Sequence, residues 1–330
     1  MARNVILDVD TGSDDACAIM LAALSPEIRL LGCVAVNGNR PLKDTLNNTL
    51  KIVELLRMQD RIPVVKGASV PLVRELLPGR SHNPKTPEIQ FDENGVEVCY
   101  HPKEFPLPEP VTKPVPENFV TWYIDTILNS AEPVTVVSVG PLTDLGIVLR
   151  AEPDVVKNIE EIVIMGGGHT ERNSTAAAEF NIWKDPEAAE IVLTCGAKIT
   201  LVPLDATHAA STRLSEVGQY RALHTPVGDM VADLIEIRTH AYNVLQPLWE
   251  KDLCPIHDAL CIAYLLDPKV LRNVIRTRVD VDISGGFADG MTVVDTRRLH
   301  NLPDNCSVAL SADRDLFNRI LYERIASFRG

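Results

Sequence analysis

The chain has 330 residues, of which 45% are hydrophobic, so it can bury a large core and cannot be disordered throughout. Its 32 basic residues stand against 45 acidic ones, which gives a net charge of -13 at pH 7. Such a surface repels nucleic-acid phosphates, and we find no local basic patch, so no nucleic-acid partner is expected.

Seven cysteines are spread along the chain without a C-x-x-C pair. Several, such as Cys33, lie in apolar runs, which is typical of reduced core residues and not of a disulfide framework or zinc site. No apolar run approaches the ~20 residues that span a bilayer. The first residues reach an acidic cluster by Asp8, which leaves no space for a secretion signal. We therefore expect a cytoplasmic protein without a membrane partner.

Short β-branched runs alternate with helical patterns along most of the chain. The first half of this alternation predicts strands over residues 4–9, 28–36, 62–67, 134–140, 161–167 and 198–204. It predicts helices over residues 14–24, 41–58, 141–150 and 185–195. Near-continuous apolar strands that alternate with helices indicate an α/β fold, with an open, mainly parallel, doubly wound sheet covered on both faces.

Residues 68–118 interrupt the alternation, because they hold ten of the 23 prolines and lose hydrophobic periodicity. We call this segment the proline-rich excursion, and a stretch of this kind is either a lid or a surface insertion. Beyond it, helices are predicted over 227–245, 257–266 and 313–327, and strands over 277–283 and 291–297. Without repeats or a linker, residues 1–330 are expected to form a single domain.

An acidic segment, D-V-D-T-G-S-D-D over residues 8–15, joins the first strand to the first helix. Ligands of open α/β sheets bind at the carboxyl ends of strands, so an active site is expected here. Two like charges ~4 Å apart repel by ~4 kcal/mol at an effective dielectric near 20, whereas the helix dipole stabilises each carboxylate by only ~0.3–1 kcal/mol. A hard cation such as Ca²⁺ or Mg²⁺ would offset that repulsion. For Asp8 alone, a structural role is equally expected.

One hypothesis for this segment is a Mg²⁺-dependent phosphohydrolase. Proteins that resemble the haloacid dehalogenase-like group open with D-x-D-x-[TV] after their first strand, which would make Asp8 a nucleophile. Here Gly12 stands at the last position of that motif, and no Gly-Asp-Gly-x-x-Asp motif follows. The segment also lacks the glycine pattern of a nucleotide-phosphate loop.

The same segment, extended to Ala16, resembles the D-x-D-x-G-x-D-D-A signature of the inosine-uridine nucleoside hydrolase family. Further blocks resemble that family in its own order: V-N-G-N (36–39), V-G-P-L-T-D (139–144), I-M-G-G-G (164–168), A-E-F-N-I with D-P-E-A (178–188) and I-H-D-A (256–259). The resemblance covers almost the whole chain. It implies a Rossmann-like nucleoside hydrolase fold, hydrolysis of ribonucleosides to free base and ribose, bound Ca²⁺, and a homodimer or homotetramer.

By position, the resemblance assigns a calcium site to Asp10, Asp15, Asp258 and the backbone carbonyl of Val139. Asp10 would also accept the proton of a calcium-bound water. Cleavage of a ribosyl C–N bond passes through an oxocarbenium-like transition state, so surrounding carboxylates would stabilise its positive charge. The metal would lower the pKa of the attacking water.

The resemblance also assigns residues to the substrate. Asp14 and Asn39 would bind the ribose 2′- and 3′-hydroxyls, and His257 would stand near the leaving base as its acid. The remaining sugar contacts would come from Met165, Asn173, Glu179 and Asn181. Carboxylates and amides supply the acceptors and donors that sugar hydroxyls need.

The base-binding residues are the least defined. The family's I-H-G-x-x-G-like loop has no counterpart in G-R-S-H-N-P over residues 79–84. Candidates for closing over the base are His82, Arg238, His240, Tyr242 and Trp249, of which His82 and Trp249 are the predicted contacts. His101 is expected in an exposed loop. The preferred nucleoside stays open, and a non-catalytic nucleoside- or ribose-binding protein on the same scaffold is a third hypothesis.

Overall fold

The computed structural model describes residues 2–77, 80, 90–299 and 301–330. Its strands are β1 (Arg3–Val9), β2 (Ile28–Ala35), β3 (Val64–Lys66), β4 (Gln90–Phe91), β5 (Glu97–Val98), β6 (Val134–Ser138), β7 (Ile159–Met165), β8 (Ile199–Val202), β9 (Thr212–Arg213), β10 (Leu253–Cys254), β11 (Leu271–Thr277), β12 (Val279–Val281), β13 (Thr292–Val294) and β14 (Cys306–Ala312). Its α-helices are α1 (Ser13–Ala23), α2 (Leu42–Leu55), α3 (Phe119–Leu128), α4 (Thr143–Ala151), α5 (Phe180–Lys184), α6 (Pro186–Leu193), α7 (Leu204–Ala209), α8 (Val217–Arg221), α9 (Pro226–Leu245), α10 (His257–Leu266) and α11 (Arg314–Ile325).

An eight-stranded sheet in the order β11-β14-β8-β7-β6-β1-β2-β3 forms the centre of the molecule. Every neighbouring pair is parallel except β11 with β14, which confirms the predicted mainly parallel α/β sheet. The chain leaves β1 towards β2 on one side and later returns through β6 on the other. The order therefore reverses between β1 and β6, which is where doubly wound sheets bind ligands.

Helices cover both faces of the sheet because side chains alternate along each buried strand. Val5, Leu7 and Val9 of β1 pack into a core with α1, α2, α9, α10 and α11. Ile6 packs into a second core on the opposite face with α3, α4 and α6. Asp8 shares the side of Ile6. In the described residues, no helix combines the length and apolar character needed to cross a bilayer.

Several elements were not predicted from the sequence, among them α7, α8 and β11, and two others, α3 and β14, show the reasons. Helix α3 was not predicted, because its run of aromatic and β-branched residues hides the helical period, although Asn118 is a clear signal: its side chain accepts a hydrogen bond from the Val120 amide. Strand β14 was not predicted because serines interrupt its apolar residues. It pairs in parallel with β8 and so extends the central sheet.

Part of the proline-rich excursion is tightly held against α2. Lys51, whose side chain is fully buried, forms ion pairs with Glu104 and Glu109 and donates a hydrogen bond to the Phe105 carbonyl. The Phe105 side chain enters the core around α1. Arg40 donates hydrogen bonds to the His101 carbonyl. These contacts place residues 100–109 beside the carboxyl end of β1.

Candidate active site

The turn between β1 and α1 is built around the carboxylate of Asp15. This side chain accepts hydrogen bonds from the backbone amides of Asp10 at 3.0 Å and Gly12 at 2.9 Å. Gly12 is the N-cap of α1, so Asp15 closes the first turn of the helix as well as the end of the strand. Hydrogen bonds between the Asp15 side chain and the backbone amides of the same segment therefore hold the acidic segment in this conformation.

Asp10 lies at the reversal point of the sheet and is buried. One oxygen, Oδ2, accepts a hydrogen bond from the Asn39 amide, while Oδ1 has no protein partner. The neighbouring strand ends admit this side chain only because they carry glycine. A Cβ on Gly38 would lie 2.0 Å from Oδ2, and one on Gly140 would lie 2.9 Å from Oδ1. A buried carboxylate oxygen without a donor is a candidate cation ligand.

Asp258 adds a third buried carboxylate from the first turn of α10. Burial, followed by the charges of Asp14, Asp15 and Asp10, raises the pKa of Asp258 well above its ordinary value. Burial and Asp15 likewise raise the pKa of Asp10, and burial and Asp14 raise the pKa of Asp15 to about 6. The three carboxylates therefore repel one another in a desolvated space, as the oxygen ligands of a divalent cation do before it binds.

His101 differs from its prediction, because it is not an exposed loop residue. Its Nδ1 accepts a hydrogen bond from the Ser13 amide at 3.3 Å and lies 3.6 Å from Asp14 Oδ1. The ring fits there because Gly12 has no side chain: a Cβ would be 2.0 Å from Nδ1. Asp14, Asp15 and His101 offer potential metal-ligating atoms within 4.8 Å of one another.

Three of the predicted sugar-binding residues, Met165, Glu179 and Asn181, are buried close to the ends of β6 and β7. The side-chain amide of Asn181 donates hydrogen bonds to the backbone carbonyls of Val139 at 2.8 Å and Met165 at 3.1 Å. Glu179 caps α5 and accepts bonds from the Gly167, Asn181 and Ile182 amides. Burial raises the pKa of Glu179 to about 7.

Two other predicted sugar contacts lie in different surroundings. Asn39 lies beside the acidic turn, where its side-chain amide approaches the Asp10 carbonyl and Asp15 Oδ2, both at 3.3 Å. Asn173 is exposed, and its side chain accepts a bond from the Phe180 amide. Asn173 Oδ1 therefore helps to close the loop before α5.

His257, at the start of α10, is held by hydroxyls on both ring nitrogens. Nδ1 lies 2.7 Å from Thr207 Oγ1, and Nε2 lies 2.6 Å from the Tyr242 hydroxyl. Burial and the nearby Arg238 charge lower the pKa of His257 well below its ordinary value, so the ring is neutral. The rings of Tyr100 and His208 complete this group, 5.1 Å from Tyr242 and 5.7 Å from His257 respectively.

Arg238 connects α9 to the acidic turn, and its side chain is 2% exposed. Nη1 donates to Ser13 Oγ at 2.8 Å and to Asp14 Oδ1 at 2.9 Å, while Nε donates to the Pro255 carbonyl at 3.0 Å. The guanidinium carbon lies 5.7 Å from the centre of the Tyr242 ring. Of the five base-side candidates, Arg238 and Tyr242 are thus brought to the acidic turn.

The other three candidates have different positions. His240 is 43% exposed and faces Asp92 of the β4–β5 hairpin at 3.4 Å. Trp249 is 67% exposed in the loop after α9. His82 lies outside the described residues. Thr207, His208 and Tyr100 were missed by the sequence prediction, although Thr207 and His208 follow β8 at the sheet's carboxyl edge, where site residues are expected.

Asp8 has no access to the site, because its side chain is fully buried and accepts a hydrogen bond from the Tyr123 hydroxyl at 2.8 Å. Burial and the neighbouring Asp144 raise the pKa of this carboxyl, so a proton is retained more readily than in water. A nucleophile needs an open approach to its substrate. The geometry therefore gives Asp8 a structural role.

Comparison with known proteins decides between the remaining hypotheses. The family described as inosine-uridine preferring nucleoside hydrolase matches residues 5–319. The chain belongs to this family. Its membership excludes the phosphohydrolase hypothesis and makes the protein an enzyme, a nucleoside hydrolase, in place of a non-catalytic binding protein.

Curated relatives and solved structures of nucleoside hydrolases extend over the same length. The chain is 37% identical over 325 residues to the pyrimidine-specific ribonucleoside hydrolase RihA of Salmonella enteritidis PT4, covering 98% of this chain and 99% of the relative. It is 38% identical over 328 residues to RihA of Enterobacter sp. strain 638, covering 99% of each. The purine-preferring ribonucleoside hydrolase from Gardnerella vaginalis superposes with a TM-score of 0.84 at 28% identity, covering 99% of both chains.

Proposed function

We propose that this nucleoside hydrolase cleaves the N-glycosidic bond of ribonucleosides by a calcium-dependent attack of water, with Asp10 as the general base. The observation that carries the proposal is the unpartnered Oδ1 of Asp10, buried at the sheet reversal point among the charges of Asp15 and Asp258. A base has to be fixed in place and free of other donors, and Oδ1 meets those two conditions.

The donor set fits a hard cation. Asp10, Asp15, Asp258 and the Val139 carbonyl offer only oxygen, which Ca²⁺ prefers over softer ligands. Bound there, Ca²⁺ would orient the attacking water and lower its pKa. The chain's own contribution is the fixed geometry: Asp15 is held by two backbone amides, Asp10 by the Asn39 amide.

The sugar would lie between the acidic turn and the Glu179–Asn181 loop. Asp14 and Asn39 would accept and donate at the 2′- and 3′-hydroxyls, while Glu179, Asn181 and Asn173 would face the other end of the ring beside Met165. Negative charge on this wall stabilises the positive charge that grows on the sugar as the C–N bond breaks. Glu179 would serve either as acceptor or as protonated donor, since its pKa is about 7.

The leaving base would meet the Tyr242 hydroxyl. Both His257 nitrogens are engaged, one by Thr207 and one by Tyr242, so a proton held by His257 reaches the base through the Tyr242 hydroxyl. The transfer balances from a His257 ring that has first taken up a proton: Tyr242 donates its hydroxyl proton to the base and Nε2–H of His257 replaces it. The ring then returns to its neutral form, with the remaining proton on Nδ1 beside Thr207. This arrangement makes His257 the acid of the leaving group and Tyr242 its point of contact.

Pyrimidine ribonucleosides are the substrates we propose first, because the relatives at 37–38% identity carry that specificity in their names. The solved purine-preferring structure, at 28% identity, supplies the alternative. A role in nucleoside salvage, a cytoplasmic location and assembly into a homodimer or homotetramer stay predictions from the sequence.

The test is a reducing-sugar assay over uridine, cytidine, inosine, adenosine and guanosine, with chromatography of the released base. Equal amounts of ribose and base from at least one nucleoside would support the proposal, and a preference for uridine or cytidine would support the pyrimidine assignment. Protein that releases neither product from any of the five nucleosides, after addition of Ca²⁺, would contradict it.

A further inference from the structure

We propose that Arg238 is a positioning residue that fixes the Asp14 carboxylate for the ribose 2′-hydroxyl and thereby sets discrimination against 2′-deoxyribonucleosides. The inference rests on the proposed function, because it takes Asp14 as the 2′-hydroxyl ligand. It assigns to α9, a helix predicted only to approach the base, a defined part in reading the sugar.

The contacts of Asp14 show how its orientation is fixed. Arg238 Nη1 donates to Oδ1 at 2.9 Å, and His101 Nδ1, which accepts from the Ser13 amide, lies 3.6 Å from the same oxygen. Oδ2 is the oxygen that these contacts leave for a substrate hydroxyl. A carboxylate rotates readily about its terminal torsion, so a donor on one oxygen determines where the other points.

Arg238 is itself held on three sides. Its donations to Ser13 Oγ and the Pro255 carbonyl join the start of α1 to the segment before α10. Tyr242, four residues later on α9, places its ring under the guanidinium. The planar guanidinium can make these contacts at once, which the point charge of a lysine cannot.

A purely structural salt bridge at this place is a weaker explanation. Burying two charges costs more than a well-packed apolar pair of similar size, so a buried pair is poor stabilisation for its own sake. The pair also lies within the acidic turn and not in the core, with Asp15 and His101 close to Asp14. Its position therefore favours a role in binding.

The test is a comparison of substrates within each variant. We would measure the ratio of kcat/KM for uridine to kcat/KM for 2′-deoxyuridine in wild type, Arg238→Met, Arg238→Lys and Asp14→Ala. If another ribonucleoside is cleaved best, that nucleoside and its 2′-deoxy form replace this pair. A hydrogen bond to a charged group is worth roughly ten- to hundredfold in affinity. Arg238→Met should lower the ratio at least ~tenfold, mainly through the ribonucleoside.

The double variant Asp14→Ala/Arg238→Met provides the decisive cycle. If Arg238 acts through Asp14, removing Arg238 from the Asp14→Ala protein leaves the ratio unchanged, because the shared interaction is already lost. Equal losses for both substrates in Arg238→Met, with an unchanged ratio, would overturn the inference. Arg314→Met is the matched control, because Arg314, at the start of α11, forms an ion pair with Glu216. The kcat/KM ratio of this variant should equal that of wild type.

Variants that fail to fold are replaced by Arg238→Lys, which keeps the charge and should give an intermediate ratio.

A binding measurement separates this inference from the proposed function. Calorimetry with D-ribose and 2-deoxy-D-ribose, in the presence of Ca²⁺, should show that the wild type prefers ribose and that Arg238→Lys has a smaller preference. If the wild type hydrolyses nucleosides but the variants prefer ribose over 2-deoxyribose as strongly as the wild type does, only the Arg238 inference is overturned. If the wild type neither hydrolyses nucleosides nor binds either sugar, the proposed function and the Arg238 inference are both overturned.

Discussion

The proposed sugar side of the site, around Asp10, Asp15 and Glu179, and the proposed base side, around His257 and Tyr242, are constructed differently. On the sugar side, backbone groups fix the functional carboxylates: Asp15 is held by the Asp10 and Gly12 amides, and Glu179 by three amides. On the base side, the contacts join side chains from distant segments, such as His257 with Thr207 and Tyr242.

This difference separates chemistry from specificity. Groups held by strand ends and helix N-termini cannot shift without disturbing the sheet, which suits residues that must hold a cation and a water in one geometry. The side chains of the base side project from helices and from the proline-rich excursion, so each can be substituted without moving a strand of the sheet. We therefore expect sugar-side changes to abolish turnover with every nucleoside, and base-side changes to depend on the leaving group.

The largest effect should follow from Asp10→Asn on the sugar side. The change keeps the shape of the side chain but removes the base, so kcat should fall by ~10³-fold or more with every nucleoside, since general-base catalysis contributes ~10²–10⁴-fold. Steady-state ribose release measures it. Asp60→Asn, at an exposed position, is the control. Turnover within a few-fold of wild type in Asp10→Asn would remove Asp10 from the mechanism.

A smaller, leaving-group-dependent effect should come from the base side. His257→Ala and Tyr242→Phe should each lower kcat for a natural nucleoside by ~10²-fold, because both interrupt the same proton path. With p-nitrophenyl riboside, whose leaving group departs without a proton, rates should stay within a few-fold of wild type. An equal loss with both substrates would show that these residues act on the sugar side too.

Calcium should change the pH dependence of stability. The folded pKa of Asp15, about 6, lies above its ordinary 3.8, so the metal-free fold has the full contribution of this group below pH 3.8 and loses it as pH rises to about 6. Ca²⁺ binds the deprotonated carboxylates, so the gain in Tm on adding Ca²⁺ should be larger at pH 8 than at pH 5. Thermal unfolding at both pH values measures this gain, and a larger gain at pH 5 would contradict the assignment.

Trp249→Ala should have the smallest effect. The side chain is 67% exposed, so its removal should change kcat/KM for every nucleoside by less than ~twofold and leave Tm within about a degree. Steady-state kinetics on the nucleoside panel checks it. A large rise in KM would instead show that the loop after α9 closes over the base, as predicted from the sequence.

The sequence predicted where the proposed sugar-side residues lie in the fold better than where the proposed base-side residues lie, for a physical reason. Asp10, Asp15 and Asp258 lie at strand ends or helix starts, where a local pattern of apolar runs, glycines and acids marks both the element and the edge of the sheet. His101 and Arg238 reach Asp14 from positions 87 and 224 residues away in the chain. No local pattern encodes such a meeting, so His101 was expected in an exposed loop.

The fold shows the same division. Apart from α3, α5 and the β4–β5 hairpin, the alternation of strands and helices from β1 to β8 was predicted, because each of those elements carries its own period. The contacts that hold the excursion were not, since the buried Lys51 and its partners Glu104 and Glu109 appear in the sequence as ordinary surface charges. Long-range packing determines which charged residues become buried, and the sequence pattern does not reveal it.

Calorimetric titration of the metal-depleted protein with Ca²⁺ would show whether the three carboxylates hold a cation. Wild type and Asp60→Asn should bind one Ca²⁺ per chain at this site, and Asp10→Asn, Asp15→Asn and Asp258→Asn should each lose that binding or weaken it severely. Absence of Ca²⁺ binding by the wild type, or undiminished binding by folded forms of the three variants, would contradict that expectation.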